Sequence, residues 1–597
     1  MSKILERITQ LKDTVSFTKD ADHQAIQVII AQYNDLKETR HSVESIWDNI
    51  ARYVLPKYQG AFGGRNISPV IDKSVSDATA SNANLRHAGM LEELLTPQRR
   101  NWFSLECDNL KAIFKGLKQD ENVPDFSEEM ATSEIKQYME ELTEQVQKKI
   151  LDPEAHFTAN IHEVFLQLSS FGKGCLRVEA RRNHLNQVVG FSFRCIPLGD
   201  MYFAENDQNK ADTVFVKSSY TLPEAVRKWG EENLSEEKRQ TLQEGGDDIL
   251  TKKYEFVHGV FPNPSYAGNF PFKSIVFEAS SEGEISSDPL HIVETKNYHT
   301  MPYIVTRYII APDEIYGRSP AWQILPSCQA LNTLVSTSVE ASERSVHPVV
   351  LTAHEGMMQD DISLDAGSIL HGMMRSDGSK MIDQLPIGNY RGANETIEML
   401  KSEIKEAYAL DLFQLFSSRD RMTAHEVSER NSEKSFFLSH VMGRQQAELL
   451  APMFNRMIDI MFASGEFLPE PTPMVLDILQ SPHFEYDIQY QSPLARYQKA
   501  DQLSSMVQAI NVMVDIATKF GDPSALDSVK VQKIVQKVAE YGYLPQSCHN
   551  SEEEMKQIGE ARKAQQQDQQ KMENAGGIAS MVKAMTEAQQ AEGAMAQ

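Results

Sequence analysis

Few residues of this 597-residue chain are spaced for chemistry. His425-Glu426 stands where a zinc-protease helix would begin, but the second histidine four residues on is absent and Glu429 takes its place. His354 and His371 sit in a faint repeat, His354-Glu355-Gly356-Met357-Met358 and His371-Gly372-Met373-Met374. No further ligands are spaced for a metal site, and a hairpin packed on its methionines accounts for both. Gly63-Gly64 is followed by no Gly-Lys-Ser/Thr, and there is no GxSxG turn. Carboxylate pairs such as Glu92-Glu93 read as ordinary surface charge. No metal, no cofactor and no enzymatic activity are expected. What remains is a polar loop, Ser417-Ser418-Arg419-Asp420-Arg421, in which two guanidiniums flank one carboxylate. In the plain reading these arginines pair with Asp420, Glu426 or Glu429 and tie the loop down.

The elements around that loop must position it. A helix is expected from Pro320 to about Ser345, with Pro320 and Pro326 at first-turn positions and Pro348 just beyond its end. Leu331, Leu334, Val335 and Val339 recur at helical spacing, and the opposite side is small: Ala330, Ser336, Ser338, Ala341, Ser342. A compact α/β insert follows, with strands at 349–352 and 368–370. A second helix starts near the N-cap residue Asn394, its stripe made by Ile397, Leu400, Ile404 and Tyr408. After the loop, the capping box Thr423-x-x-Glu426 opens a third helix that runs to about Ser464, roughly 60 Å long. Leu438, Val441, Met442, Leu449, Met453, Met457, Ile460 and Met461 keep one face of it. Pro452 should kink it, and Gly465 ends it.

Upstream, 1–58 reads as helical and 72–95 as a small-residue helix. Further helices are expected at 129–151 and 155–171. Strands are expected around Trp102-Phe103, 175–180, 190–196, 201–204, 213–218, 254–261, 274–279, 291–294 and 303–308. Downstream come a strand at 484–490, helices near 494–520 and 525–541, and a Gln/Glu/Ala/Met-rich tail from Ser551. The fold class is α+β, mainly helical.

The net charge of −25 argues against a basic face that grips nucleic acid. An acidic surface repels phosphate, and it equally suits plain solubility. Five scattered cysteines without CxxC read as reduced thiols made in a cytosol. No signal peptide and no apolar run long enough to span a bilayer is present, so no membrane role is expected.

Gly317-Arg318-Ser319-Pro320 with Leu331-Asn332-Thr333-Leu334 and Val346-His347-Pro348 resembles the head-to-tail connecting (portal) proteins of short-tailed bacteriophages. So do Met422-Thr423-Ala424-His425-Glu426-Val427, Leu449-Leu450-Ala451-Pro452-Met453, and upstream Gly89-Met90-Leu91, Leu95-Thr96-Pro97 and Asn101-Trp102-Phe103. The order and spacing of these motifs across 40–470 carry the likeness, and the last hundred or so residues share it only loosely. The resemblance implies a dodecameric ring at one capsid vertex with a central channel for double-stranded DNA. In its terms, 1–317 holds N-terminal helices and an α+β wing, 318–346 is stem helix 1, 347–389 an inserted clip, and 390–413 stem helix 2. Residues 414–422 are then a tunnel loop, 423–480 a long wing helix, 481–550 a helical crown and 551–597 a polar tail. Ser417, Ser418, Arg419, Asp420 and Arg421 would line the channel, with Arg344, Lys401 and Lys405 as stem candidates. Ser338, Ala341 and Ser342 are subunit-seam candidates. Implied partners are the neighbouring subunits, non-specifically held DNA, the terminase large subunit, tail adaptors, and the major capsid and scaffolding proteins. The implied location is the virion, after assembly in the host cytoplasm. The rival is a helical scaffold or adaptor of a virion that oligomerises without a channel.

Overall fold

The computed structural model describes residues 23–62, 75–98, 101–117, 128–245, 247–263, 270–279, 291–312, 314–347, 350–352, 378, 382–384, 391–410, 441–481 and 484–491, with scattered positions after 502. The chain divides into two compact units. One is built from 6–100 and 148–466, the other from 101–147 with 467 onward.

The larger unit is framed by two antiparallel sheets. Five strands follow one another in sequence order: Met201–Glu205, Ala211–Thr221, Lys253–Pro262, Phe272–Ala279 and Ile292–Tyr298. Alternate residues such as Tyr202, Phe215, Val257 and Phe277 are buried, the period of two expected of strands. The second sheet has Lys173–Arg182 in the middle, flanked by Val188–Cys195 and Tyr303–Arg307. Two hairpins use the same turn chemistry. The side chain of Asn183 accepts from the N–H groups of Leu185 and Gln187, and that of Asn206 from those of Gln208 and Lys210. Asn186 and Asn209 take the left-handed conformation that each turn needs, at φ 62° and 57°. Helix Leu222–Trp229 opens on a capping box between Thr221 and Glu224.

Helix Phe157–Phe171 ends at Gly172, whose φ is 79°. A Cβ there would lie 2.2 Å from the Gly317 carbonyl oxygen, so only glycine allows the two backbones to meet. That approach fixes where the helix Pro320–Val346 begins. Ser319 caps it, its hydroxyl accepting from the Trp322 N–H at 3.2 Å and donating to the Ser170 carbonyl at 2.5 Å. Pro320 occupies the first turn as expected. Pro326 does not: it lies inside the helix, where its missing N–H interrupts one rung of the ladder.

The second helix begins at Arg391, so Asn394 is an exposed first-turn residue rather than its cap. Its stripe is as expected: Ile397, Leu400, Ile404 and Tyr408 are all buried, with Ile324, Cys328 and Leu331 of the first helix in the same core. The small-residue helix starts at Thr79, not near 72. The Asp77 side chain accepts from the Thr79 N–H and opens the helix there. Strand Val350–Thr352 pairs with Ile382–Gln384, a partner that periodicity did not single out, and 368–370 lies outside the described residues. The third helix is described from Val441. Pro452 is preceded by a π turn, Gln446–Leu450, after which the helix continues as Ala451–Ser464 and stops at Gly465, φ 68°. Val441, Met442, Leu449, Met453, Met457, Ile460 and Met461 are buried on it.

In the smaller unit, Phe103–Asp108 pairs antiparallel with Glu485–Tyr490. Thr143 ties that ribbon to the helix behind it. Its hydroxyl accepts from the Leu105 N–H at 3.0 Å and donates to the Met139 carbonyl at 2.7 Å. The helices Leu110–Leu117 and Pro473–Gln480 were not anticipated. The second carries a signal, Thr472 as cap and Pro473 in the first turn, that the prolines at 469 and 471 masked.

Candidate functional site

Ser417, Ser418, Arg419, Asp420 and Arg421 fall within 411–440, outside the described residues; His354 and His371 also lie outside them. The nearest described residues on either side of the polar loop, up to Leu410 and from Val441, are held by buried polar contacts. On the first, helix Arg391–Ala407 stops in a double turn. Leu410 N–H donates to the Lys405 carbonyl at 3.1 Å and Ala409 N–H to that of Glu406 at 2.8 Å. Ala409 takes φ 53° where glycine is usual. The next carbonyl along, that of Tyr408, accepts from His87 Nδ1 at 2.9 Å. Since a carbonyl only accepts, Nδ1 carries the proton, and Nε2 accepts from the Tyr308 hydroxyl at 3.3 Å. His87 is thus a neutral clamp on the end of the helix that leads into the loop. Burial pushes its pKa from 6.5 down to about 4, with the Tyr408 carbonyl working the other way.

The sign of the consequence follows. The unfolded chain binds a proton at His87 below pH 6.5, and the folded chain does not until about pH 4. The stability this residue contributes is complete above 6.5 and is lost as pH falls through that window, about 3 kcal/mol in all. Unfolding followed from pH 7 to 4 should show a steeper loss in the wild type than in His87→Leu. The variant should also start lower at pH 7, because the Tyr408 carbonyl is left unpaired. Parallel curves would assign the acid sensitivity elsewhere.

On the second flank, Gln445 and Glu448 hold the π turn to strand Tyr303–Arg307. Neither clamp has a sequence signature. Their partners lie more than a hundred residues away.

The helices Pro320–Val346 and Arg391–Ala407 share a core that includes Leu331 and Ile404, and leave an opening between them further toward Val346. The opening is a groove of about 620 Å³ lined by Val335, Ser338, Val339, Ser342, Ile397 and Lys401, among others. Ser338 and Ser342 therefore share the face of Val335 and Val339 toward the partner helix, and do not form the opposite side. Ala341 is half-buried outside the groove lining. Val339 and Val346 remain 52% and 73% exposed, and Met399 on the second helix 62%. Of the basic candidates, Arg344 is exposed with Glu340 at 3.9 Å, and Lys401 is 3.3 Å from Glu398 at the groove. Lys405 is exposed in the last turn of its helix, where a cation complements the helix dipole. Among the described residues no contact joins the three into one cluster.

One nucleophile–base pair escaped the sequence. His258 lies with its two ring nitrogens 2.6 Å from Ser274 Oγ and 2.6 Å from the Tyr303 hydroxyl. Ser274 and Tyr303 are buried, and burial holds His258 well below its ordinary pKa. Enclosed among strands, the trio crosslinks the two sheets, with Ser274 and His258 on one and Tyr303 on the other.

The chain is similar to the portal protein of Salmonella phage epsilon15, 23% identical over 579 residues, covering 94% of this chain and 95% of that one. It is also similar to the probable portal protein of Bordetella phage BPP-1, 21% identical over 501 residues, covering 81% and 82%. A chain in the virion of a native gene transfer agent particle aligns over 73% of this chain and 90% of its own, at 11% identity. Its TM-score of 0.27 is too slight to carry an argument. The family model described as bacteriophage head to tail connecting protein matches residues 27–548. The match takes in both sheets, the helix pair with its groove and the polar loop's sequence, and the chain belongs to the bacteriophage head-to-tail connecting proteins.

Proposed function

We propose that this connector is a portal. Copies of the chain close into a ring, a dodecamer, at one capsid vertex. Double-stranded DNA passes through its centre during packaging and ejection. The terminase large subunit docks on it first and tail adaptors afterwards, with the major capsid and scaffolding proteins around it. The helices Pro320–Val346 and Arg391–Ala407 serve as the stem, 347–389 as the clip, and 414–422 as the loop nearest the DNA. The observation that carries this is the helix pair. The groove between them leaves Val339 and Val346 in water, an apolar surface that a single copy does not bury. Family membership supplies the context, and the charge of −25 suits a wall that does not hold phosphate. Electron microscopy of the purified chain tests it. A closed ring with a pore is expected, while monomers or open filaments at working concentration would favour a scaffold or adaptor.

Within this ring, Arg419 and Arg421 form a positive belt that touches phosphates without reading bases. Each contact is screened, since the Debye length is about 8 Å at physiological salt, but the belt repeats around the ring. Arg419→Ala with Arg421→Ala should leave assembly intact and shorten the packaged genome. Full-length, stably held genomes in mutant particles would leave only the ion-pair role for these arginines.

A further inference from the structure

The helix that resumes at Val441 is interrupted at one described place. Over Gln446–Leu450 it widens to a π turn, and the Ala451 N–H reaches back five residues to the Gln446 carbonyl. Pro452 follows and has no N–H for the Glu448 carbonyl, so the wider turn relieves the clash an α-helix would meet there. A π turn holds one residue more than an α turn. The two registers of the preceding helix therefore differ by about 100° of rotation and about 1.5 Å of rise.

Two side chains fasten this turn to the edge of the three-stranded sheet. Gln445, fully buried, donates to the Arg307 carbonyl at 2.8 Å and accepts from Thr306 Oγ1 at 2.5 Å. The Glu448 carboxylate accepts from the Arg307 backbone N–H at 2.9 Å, from Nη2 at 3.0 Å and from Nε at 3.3 Å. Side chains thus satisfy the strand edge where another strand would pair. The Arg307 guanidinium, itself 2% exposed, reaches further. It pairs with Glu205 and donates to the carbonyls of Asn209 at 2.6 Å and Ile315 at 3.4 Å. One buried cation therefore touches the π turn, the hairpin of the five-stranded sheet, and the segment that leads into helix Pro320–Val346. A guanidinium can hold several acceptors in one plane, which an ammonium cannot.

We infer that Arg307 is a latch: it holds the helix after Val441 in its π register and couples that register to residues 314–319 at the head of helix Pro320–Val346. When the latch is closed, Glu448 faces Arg307. When the extra residue is absorbed into an α register, Glu448 swings away and Arg444, whose Nη1 lies 3.2 Å from it, becomes its remaining cation. Arg307 then loses its three hydrogen bonds to Glu448, two of them from the guanidinium, and its hold on the Ile315 carbonyl loosens. By linkage the coupling runs both ways: a displacement at Ile315 biases the helix register. The latch rests on no assumption about a ring or a channel.

Hydrogen exchange read by mass spectrometry on the full chain tests it with two variants on opposite sides of Arg307. Glu205→Gln touches nothing in the helix, yet should raise exchange at Gln446–Leu450 at least tenfold. Glu448→Gln should do the same at 315–319. The double variant should add little to the larger single effect, because both open one latch. Exchange that rises only beside each substituted residue would overturn the coupling. If Glu448→Gln loses protection throughout, Arg307→Lys, which keeps the charge and loses the fork, is held to the same standard. It should raise exchange at both distant segments while the strands Lys253–Pro262 and Phe272–Ala279 stay protected, and a rise at neither segment would equally overturn the latch.

Discussion

Lys173→Met should make the larger unit harder to unfold, by about 1–4 kcal/mol at pH 7. Lys173 opens the central strand of the three-stranded sheet and is fully buried, and its Nζ has no hydrogen-bond partner among the described residues. The amine lies 3.6 Å from the centre of the Trp47 ring and 4.2 Å from that of Tyr316. The nearby carboxylate, Glu44, is already bonded to Arg40 at 2.7 Å, and Arg40 spends its other donors on Leu198, Gly199, Met201 and Tyr202. Burial, and next the Arg40 cation, push the Lys173 pKa well below its ordinary 10.5, with Glu44 opposing. The aromatic faces return about 2 kcal/mol or somewhat more. Methionine fills a similar volume without the charge and makes favourable sulfur–ring contacts. The pH dependence gives a second readout. Below 10.5 the unfolded lysine binds its proton more tightly than the folded one, so wild-type stability rises as pH approaches 10.5 and falls as pH is lowered. The advantage of Lys173→Met should therefore be larger at pH 7 than at pH 9.5 in denaturant unfolding. A variant no more stable than the wild type at either pH would mean that the ring faces outweigh desolvation.

Lys173 also shows where sequence reasoning stops. A lysine beside Gly172 and Gly174 looks like strand edge, because lysine is seldom fully buried. Only the tertiary fold brings Trp47 and Tyr316 over it. Local pattern did reveal what depends on near neighbours: the stripe Ile397, Leu400, Ile404 and Tyr408, the stop at Gly465, and the disturbance at Pro452. It could not reveal His87 on the Tyr408 carbonyl or Arg307 on Glu448, where residues 321 and 141 positions apart meet through polar groups that no pattern announces. Pro326 misled for a related reason. A proline near a helix start favours the first turn, yet Ser319 and Pro320 already provide cap and first turn six residues earlier. The polar loop, legible as a loop with two arginines, lies outside the described residues, and its chemistry rests on the genome-length measurement.

Val339→Asp with Val346→Asp should abolish the proposed ring and leave the fold of the single chain intact. Both valines lie on the groove side of helix Pro320–Val346, seven residues and about two turns apart. Each is more than half exposed in one copy. Substitution at such positions alters the stability of the single chain little, within about 1 kcal/mol once the helix propensity of aspartate and its place near the negative end of the helix are included. In an assembly that covers the groove the same carboxylates would be driven out of water. An unpaired buried charge costs several kcal/mol, and the groove already holds Glu343 and Glu398, which repel it. A closed ring uses one contact at every seam, so the penalty recurs at each of them and no subunit escapes it. Mass photometry at a concentration where the wild type is fully assembled should therefore show monomers, with an unfolding transition like that of the wild type. Val339→Leu with Val346→Leu keeps the surface apolar and should still assemble. Rings formed by the aspartate variant in normal yield would show that the groove faces solvent in the assembly, and the seam would then have to be sought on the half-buried Ala341 side of the helix.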